Sequence, residues 1–211
     1  MKLTLSFDNG PEPEATPGVL DVLARRGIRA TFFVIGEKLL KQRSLAERAV
    51  AEGHWVGNHT LTHGVPLGRR PAAEARAEIE AADALLGNLN PHRLFRPNGG
   101  GGVLGPHLLH RATLPWLEAE RRTVVLWNAI PRDWDDPDGW PPRALAQYAT
   151  AAEPLLMVLH DLDNGAWRHL DRVLGQLADA GAEFTQEFPE SCTPLRDGRW
   201  TCEPEALSSG G

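Results

Sequence analysis

His59 and His63 stand four apart in HTLTH, and two imidazoles at that spacing can serve one metal ion. Asp8 follows the apolar run in LSFDNGP, Arg96 sits in RLFRP, Asp133 in PRDW, and His160 ends LLMVLH just before Asp161. Each has a bland reading when taken alone. Asp8-Asn9-Gly10-Pro11 is a good turn. The two histidines, Arg96 and Asp133 can be surface, loop or cap residues, and His160 can be a core histidine with one structural hydrogen bond. Taken together, they suit hydrolysis of an amide or ester. Two imidazoles and an oxygen ligand hold a divalent ion with open positions. Such an ion polarises a carbonyl and its bound water. A carboxylate then takes the water proton, and an arginine keeps that carboxylate ionised and aimed. A histidine kept protonated by a second carboxylate returns a proton to the leaving nitrogen. Asp8, Asp133 and His160 can fill these roles.

Such residues are useful only if the chain brings them to one place. Leu3, Leu5 and Phe7 alternate into Asp8, a strand running into a turn. Residues 15–27 read as a helix, capped by Thr16, with Pro17 at its first position and Gly27 at its end. A buried strand over 30–36 leads to an amphipathic helix over 37–52. Residues 54–59 form a short strand, and Pro71 and Gly87 bound a strong helix. Residues 93–97 form another short strand before the glycine run 99–102. Residues 106–120 read as a helix interrupted by Pro115, and 122–130 (RTVVLWNAI) as a strand. A helix over 141–152, an apolar strand over 155–160, a helix over 166–181 and a short strand over 182–186 follow.

This alternation predicts an α/β fold with about seven parallel strands and helices outside, as a closed (β/α) barrel or an open doubly wound sheet. In both, chemistry gathers at the carboxyl ends of the strands. There the sequence places Asp8 with Asn9, His59 with His63, Arg96, Asp133 with Trp134, and His160 with Asp161. The expectation is that Asp8, His59, His63 and His160 converge on one cavity at the mouth of the barrel.

The 211 residues are 42% hydrophobic and 24% charged, the composition of a globular domain with a full core. A net charge of −6 argues against a nucleic-acid partner, which would need a basic surface. No apolar run reaches the roughly 18 residues of a membrane span, so no membrane partner is expected. The first strand begins at the first residues and leaves no room for a signal peptide, so the chain as it stands is expected to be cytoplasmic, or else trimmed of an export signal. A monomer is expected. The seven tryptophans offer flat apolar faces that suit cores and sugar rings alike. The two cysteines, Cys192 and Cys202, flank the turn signal Asp197-Gly198. A two-residue turn would set Thr193 opposite Cys202, whereas a three-residue turn would face the two cysteines, so both a disulfide and free thiols stay open.

SFDNG, HTLTH, FRPNGG, PRDW and MVLH resemble, in order, the five motifs of the polysaccharide deacetylases, carbohydrate esterase family 4 or NodB-homology domain, across residues 3–184. The resemblance implies a distorted β/α barrel as a catalytic domain over 1–190; the Asp197-Gly198 turn signal and the terminal SSGG add a hairpin extension over 191–205 and a flexible tail over 206–211. It implies Asp8 as catalytic base, Arg96 as the residue that orients it, His160 as acid and Asp133 as the residue that tunes the acid. His59, His63 and Asn9 would hold a divalent ion, with zinc expected. Gly99, through its backbone N–H, Asn98 and Trp134 would meet the substrate, and Trp140 is a second candidate for stacking on sugar, while Trp127 reads as core.

Three departures stand out. Asn9 replaces an aspartate that normally ligates the metal, which predicts weaker binding or none. Ile130 stands where the fourth motif often has an aspartate, and Asn98-Gly99 where the third often has Pro-Tyr. The expected reaction is removal of an N-acetyl group from an amino sugar or its polymer, releasing acetate. Two alternatives stay open: hydrolysis of a small non-polymeric amide, and a catalytically weakened sugar-binding homologue.

Overall fold

Leu3, Leu5 and Phe7 pack into one apolar cluster with the helices, while Thr4, Ser6 and Asp8 turn to the opposite face of the same strand. That alternation in β1 (Lys2–Asp8) separates the helical jacket from the barrel interior. The structure, a computed structural model, describes residues 1–210. After β1 come α1 (Ala15–Arg26), β2 (Thr31–Val34), α2 (Gly36–Ala51), β3 (Trp55–Asn58) and α3 (Ala72–Leu86). Next are β4 (Leu94–Phe95), β5 (Leu109–His110), α4 (Leu114–Ala119), β6 (Thr123–Val124) and α5 (Trp140–Thr150). The chain ends with β7 (Leu155–His160), α6 (Leu170–Asp179), β8 (Glu183–Thr185), β9 (Leu195–Arg196), β10 (Arg199–Trp200) and β11 (Ser208–Ser209).

The main sheet runs β10-β9-β6-β4-β3-β2-β1-β7, with β8 beside the start of β1. Its strands pair in parallel except at β9, which is antiparallel to β6 and β10. The register matters for chemistry. Asp8 lies level with His160 across β1 and β7, and Asn58 lies level with Phe95 across β3 and β4, so His59 and Arg96 leave their strands together.

The expected strand over 122–130 is a strand only at Thr123–Val124. Beyond it the chain crosses from β4 to β7, where Ala129 bridges Met157 and accepts from the Val158 N–H at 3.0 Å. This crossing curls the sheet into a distorted barrel. Side chains take over the lost ladder bonds: Arg96 Nε and Nη2 donate to the carbonyls of Val125 and Leu126 at 3.0 and 3.1 Å.

Several local expectations need correction. Thr16 does not cap α1. It lies inside the helix, its hydroxyl donating to Asp161 Oδ2 at 2.5 Å, and the first-turn N–H of Ala15 is taken instead by Asp163 Oδ1 at 2.7 Å. Residues 106–120 are not one helix, because β5 and a short 3-10 turn precede α4. Trp140, a candidate for sugar stacking, is 1% exposed and donates its indole N–H to the Ala166 carbonyl, so it belongs to the core. Asp197 and Gly198, both at positive φ, make a two-residue turn that pairs Arg196 with Arg199. In that register both cysteines are free, Cys192 buried and Cys202 exposed. Most of the expected flexible tail is ordered: Leu207 and Ser208 are buried, and β11 pairs with β5. Residue 211 lies outside the described residues. Among the described residues no helix is long and apolar enough to cross a membrane.

Candidate active site

Asp8 is the last residue of β1 and points into the barrel, where it is 3% exposed. An isolated carboxylate there would be costly. Arg96, itself wholly buried, crosses the interior and donates from Nη1 to Asp8 Oδ1 and to Ser6 Oγ, each at 2.7 Å. The guanidinium lies over the Phe33 ring at 4.0 Å. Burial alone would raise the Asp8 pKa, but the charge and hydrogen bond of Arg96 outweigh it and hold the carboxyl below its ordinary value. Asp8 Oδ2 stays clear of the arginine and lies 3.6 Å from His59 Nε2.

His59 is fixed through its ring. Its Nδ1 meets the Arg96 carbonyl at 2.8 Å and must donate there, which leaves a lone pair on Nε2. Burial pushes its pKa down to about 3, so the imidazole is neutral. The His63 ring lies 4.8 Å away, and burial lowers its pKa as well. Thr60 and His63 both hold positive φ, at 67° and 53°.

His160 ends β7 and lies level with Asp8. Its Nδ1 donates to Asp133 Oδ1 at 2.8 Å, and its backbone N–H donates to Asp133 Oδ2 at 2.7 Å. Burial would lower the His160 pKa, but the Asp133 charge and hydrogen bond, with Asp8 and Asp161 adding to them, raise it. Trp134 stands edge-on to this imidazole at 4.8 Å, with the Arg132 guanidinium 5.3 Å from its ring.

These side chains share one cavity of about 130 Å³, lined by Asp8, Asn9, His59, His63 and His160 together with Trp134 and residues 99–102. One water needs roughly 10–15 Å³ of such space, so the cavity has room for an acylamino group and a water. Arg96 and Asp133 do not line it; they hold Asp8 and His160 from behind. Gly99 lines it with backbone alone, and a Cβ there would lie 2.6 Å from Trp127. Asn98, expected to touch substrate, is 2% exposed and does not line the cavity, and its amide donates to the Gly64 carbonyl at 2.7 Å. Trp127, expected as core, also walls the cavity and donates to the Gly102 carbonyl at 2.9 Å. Ile130 and Val158 complete an apolar wall that sequence reasoning missed, because such residues look like any others in the core.

The donors fit a divalent ion. Among the described residues, no three of His, Cys, Asp and Glu gather into a metal cluster. The group is instead two imidazoles and an amide. Asn9 Oδ1, on a residue that lines the cavity, is buried without a hydrogen-bond partner, and such an atom calls for an explanation. A ligated cation would satisfy it and use the free His59 lone pair. The set His59, His63 and Asn9 is neutral, so nothing in it offsets a double positive charge.

The chain is similar to known proteins in both sequence and fold. The family described as polysaccharide deacetylase matches residues 1–103. A chitooligosaccharide deacetylase of Bradyrhizobium sp. (strain ANU 289) is 38% identical over 159 residues, covering 74% of this chain and 69% of that protein. A peptidoglycan-N-acetylglucosamine deacetylase of Bacillus cereus is 28% identical over 196 residues, covering 87% of this chain and 66% of that one. The structure of the peptidoglycan deacetylase PdaC from Bacillus subtilis superposes with a TM-score of 0.71 at 27% identity, covering 87% of this chain and 86% of the other.

Proposed function

The chain belongs to the polysaccharide deacetylase family, hydrolases of carbon–nitrogen bonds other than peptide bonds, and we propose that its substrate is an oligomer or polymer carrying N-acetylated amino sugars. The reaction releases acetate and leaves a free amine. The observation that carries this reading is the level placement of Asp8 and His160 on neighbouring strands, facing one cavity with opposite proton preferences.

Asp8 accepts a proton from the attacking water at Oδ2, since Oδ1 is engaged by Arg96. His160 faces the cavity and donates from its remaining ring nitrogen to the departing amine, because Nδ1 is committed to Asp133. His59, His63 and Asn9 would hold a divalent ion, which when bound would supply Lewis-acid polarisation of the acetyl carbonyl; zinc suits these nitrogen and oxygen donors. Trp127, Ile130, Val158 and Trp134 give the acetyl methyl an apolar wall. The backbone of residues 99–102 leaves the sugar a side without side chains.

The test is acetate release from N-acetylglucosamine oligomers and from a small acyl-amide, with and without a chelator. Oligomers should be hydrolysed, chelation should abolish turnover, and zinc should restore it. Asp8→Asn and His160→Ala should each lower kcat by about 10²–10⁴. Hydrolysis of the small amide alone would move the substrate class away from sugars. No turnover with any added divalent ion would leave a sugar-binding homologue weakened at Asn9.

A further inference from the structure

The two imidazoles proposed to hold the ion are fixed in different ways. His59 is locked through its ring by the Arg96 carbonyl. The His63 ring has no such bond, so its direction depends on its backbone, which is strained. φ is 67° at Thr60 and 53° at His63. A β-branched residue such as Thr60 is a genuine outlier there, and such strain persists only where the surroundings over-determine it.

Within the turn, the Thr60 N–H donates to Asn58 Oδ1 at 2.8 Å and the His63 N–H to Thr60 Oγ1 at 3.1 Å; a further anchor lies on a helix outside the cavity. Glu78 sits on the buried stripe of α3 with Ala75, Ile79 and Ala82. A carboxylate on an apolar stripe must be satisfied, or the position would be better filled by an aliphatic residue. Two of the three hydrogen bonds it accepts come from Thr62, in the turn that carries His63. Glu78 Oε2 accepts from the Thr62 N–H at 2.9 Å, and Oε1 accepts from Thr62 Oγ1 at 2.8 Å. Oε1 also accepts from Arg70 Nη1 at 3.1 Å, and Arg70 Nε donates to the Val65 carbonyl at 2.7 Å. On the other side of His63, Asn98 donates to the Gly64 carbonyl. Both chain neighbours of His63 are thus held, and Glu78 is the charged group that anchors the Thr62 side.

We propose that Glu78 is a positioning residue for His63: its carboxylate, acting on Thr62 directly and on Val65 through Arg70, holds the strained turn that presents this imidazole to the cavity. The proposal rests on the reading that His59 and His63 bind a divalent ion. Glu78 itself touches neither the cavity nor the reacting atoms.

The test is calorimetric titration of zinc into the metal-free protein, for wild type, Glu78→Ala, Glu78→Gln and His59→Ala, with circular dichroism to check folding. Loss of a group that orients a ligand costs about 10–100-fold in metal affinity. Glu78→Ala is expected to weaken zinc binding by that factor while remaining folded. Glu78→Gln should weaken it by about threefold to tenfold, because its amide oxygen still accepts from Thr62 but its NH2 faces Arg70. Wild-type affinity in a folded Glu78→Ala overturns the proposal and leaves the metal reading standing. If Glu78→Ala does not fold, Glu78→Gln decides: weakening by threefold or more supports the proposal, and unchanged affinity overturns it. A wild type that binds no zinc, or a His59→Ala that binds as the wild type does, defeats the metal reading and this inference with it.

Discussion

Burial pushes Asp8 and His160 toward their neutral forms, and a partner reverses it in each case: Arg96 for Asp8, Asp133 for His160. The active form therefore has an ionised Asp8 and a protonated His160. The acid limb of kcat/KM should lie below the ordinary aspartate value of 3.8, and the alkaline limb above the ordinary histidine value of 6.5. Asp133→Asn removes the charge that raises His160, so the alkaline limb should move to lower pH and kcat should fall. A pH profile of the variant with an unmoved alkaline limb would count against His160 as the acid. Asn9 carries the matching prediction for the ion. Asn9→Asp adds a charge to a neutral donor set, and ligand charge is one of the terms that sets metal affinity. It should tighten zinc binding by about tenfold or more in a calorimetric titration. Aspartate tolerates the positive φ of 73° found there. The residues that meet at this cavity could be picked out because strand ends are where such folds collect polar groups. Glu78 could not: in sequence it is one more glutamate in AAEARAEIEAADALL, and only its Thr62 and Arg70 contacts mark it.

The elements differ in how far local sequence determines them. Helices bounded by Pro71, Gly27 and Gly87 are read with little error, because their ends are set by chemistry within one turn. The RTVVLWNAI segment was not: its apolar run looks like a strand throughout, but after Val124 it leaves β4 for β7, and Arg96, distant in sequence, takes its carbonyls. Thr16 was misread for a similar reason. Its hydroxyl serves Asp161 from another loop, and Asp163 takes the Ala15 N–H. The glycine run is also a tertiary feature. Gly102 has φ +86°, and a Cβ there would lie 2.8 Å from Ile130 Cδ1 and 3.6 Å from Trp134. Gly102→Ala should therefore cost about 1–2 kcal/mol of stability from backbone strain alone. By shifting a cavity wall it should lower kcat/KM by up to about 100-fold. Oligomer kinetics alongside urea denaturation would separate the two effects, and unchanged kinetics would mean that this loop does not shape the substrate site.

At the scale of the whole molecule, the barrel is tied together near its mouth by a buried acid that the proposed reaction does not use. Asp161 follows His160, accepts from Thr16 at Oδ2 and leaves Oδ1 without a hydrogen-bond partner. It packs so tightly under the β1–α1 turn that a Cβ on Gly10 would lie 2.0 Å from its carboxylate. Burial pushes its pKa up to about 7. In the unfolded chain the group titrates near the ordinary 3.8. Between these values the folded state binds the extra proton, so this group's contribution to stability falls as pH rises from about 4 to about 7 and is level above that. The span of about three pKa units corresponds to roughly 4 kcal/mol. Asp161→Asn keeps an acceptor for the Thr16 hydroxyl and removes the ionisation. Its stability relative to wild type should therefore rise through that window and reach a plateau near neutral pH. Urea denaturation of the two proteins from pH 4 to pH 8 measures the difference directly. A difference that does not change with pH would mean that the Asp161 carboxyl is solvated or paired in the folded protein, and that the loops joining β1 to α1 and β7 to α6 are looser than this packing implies.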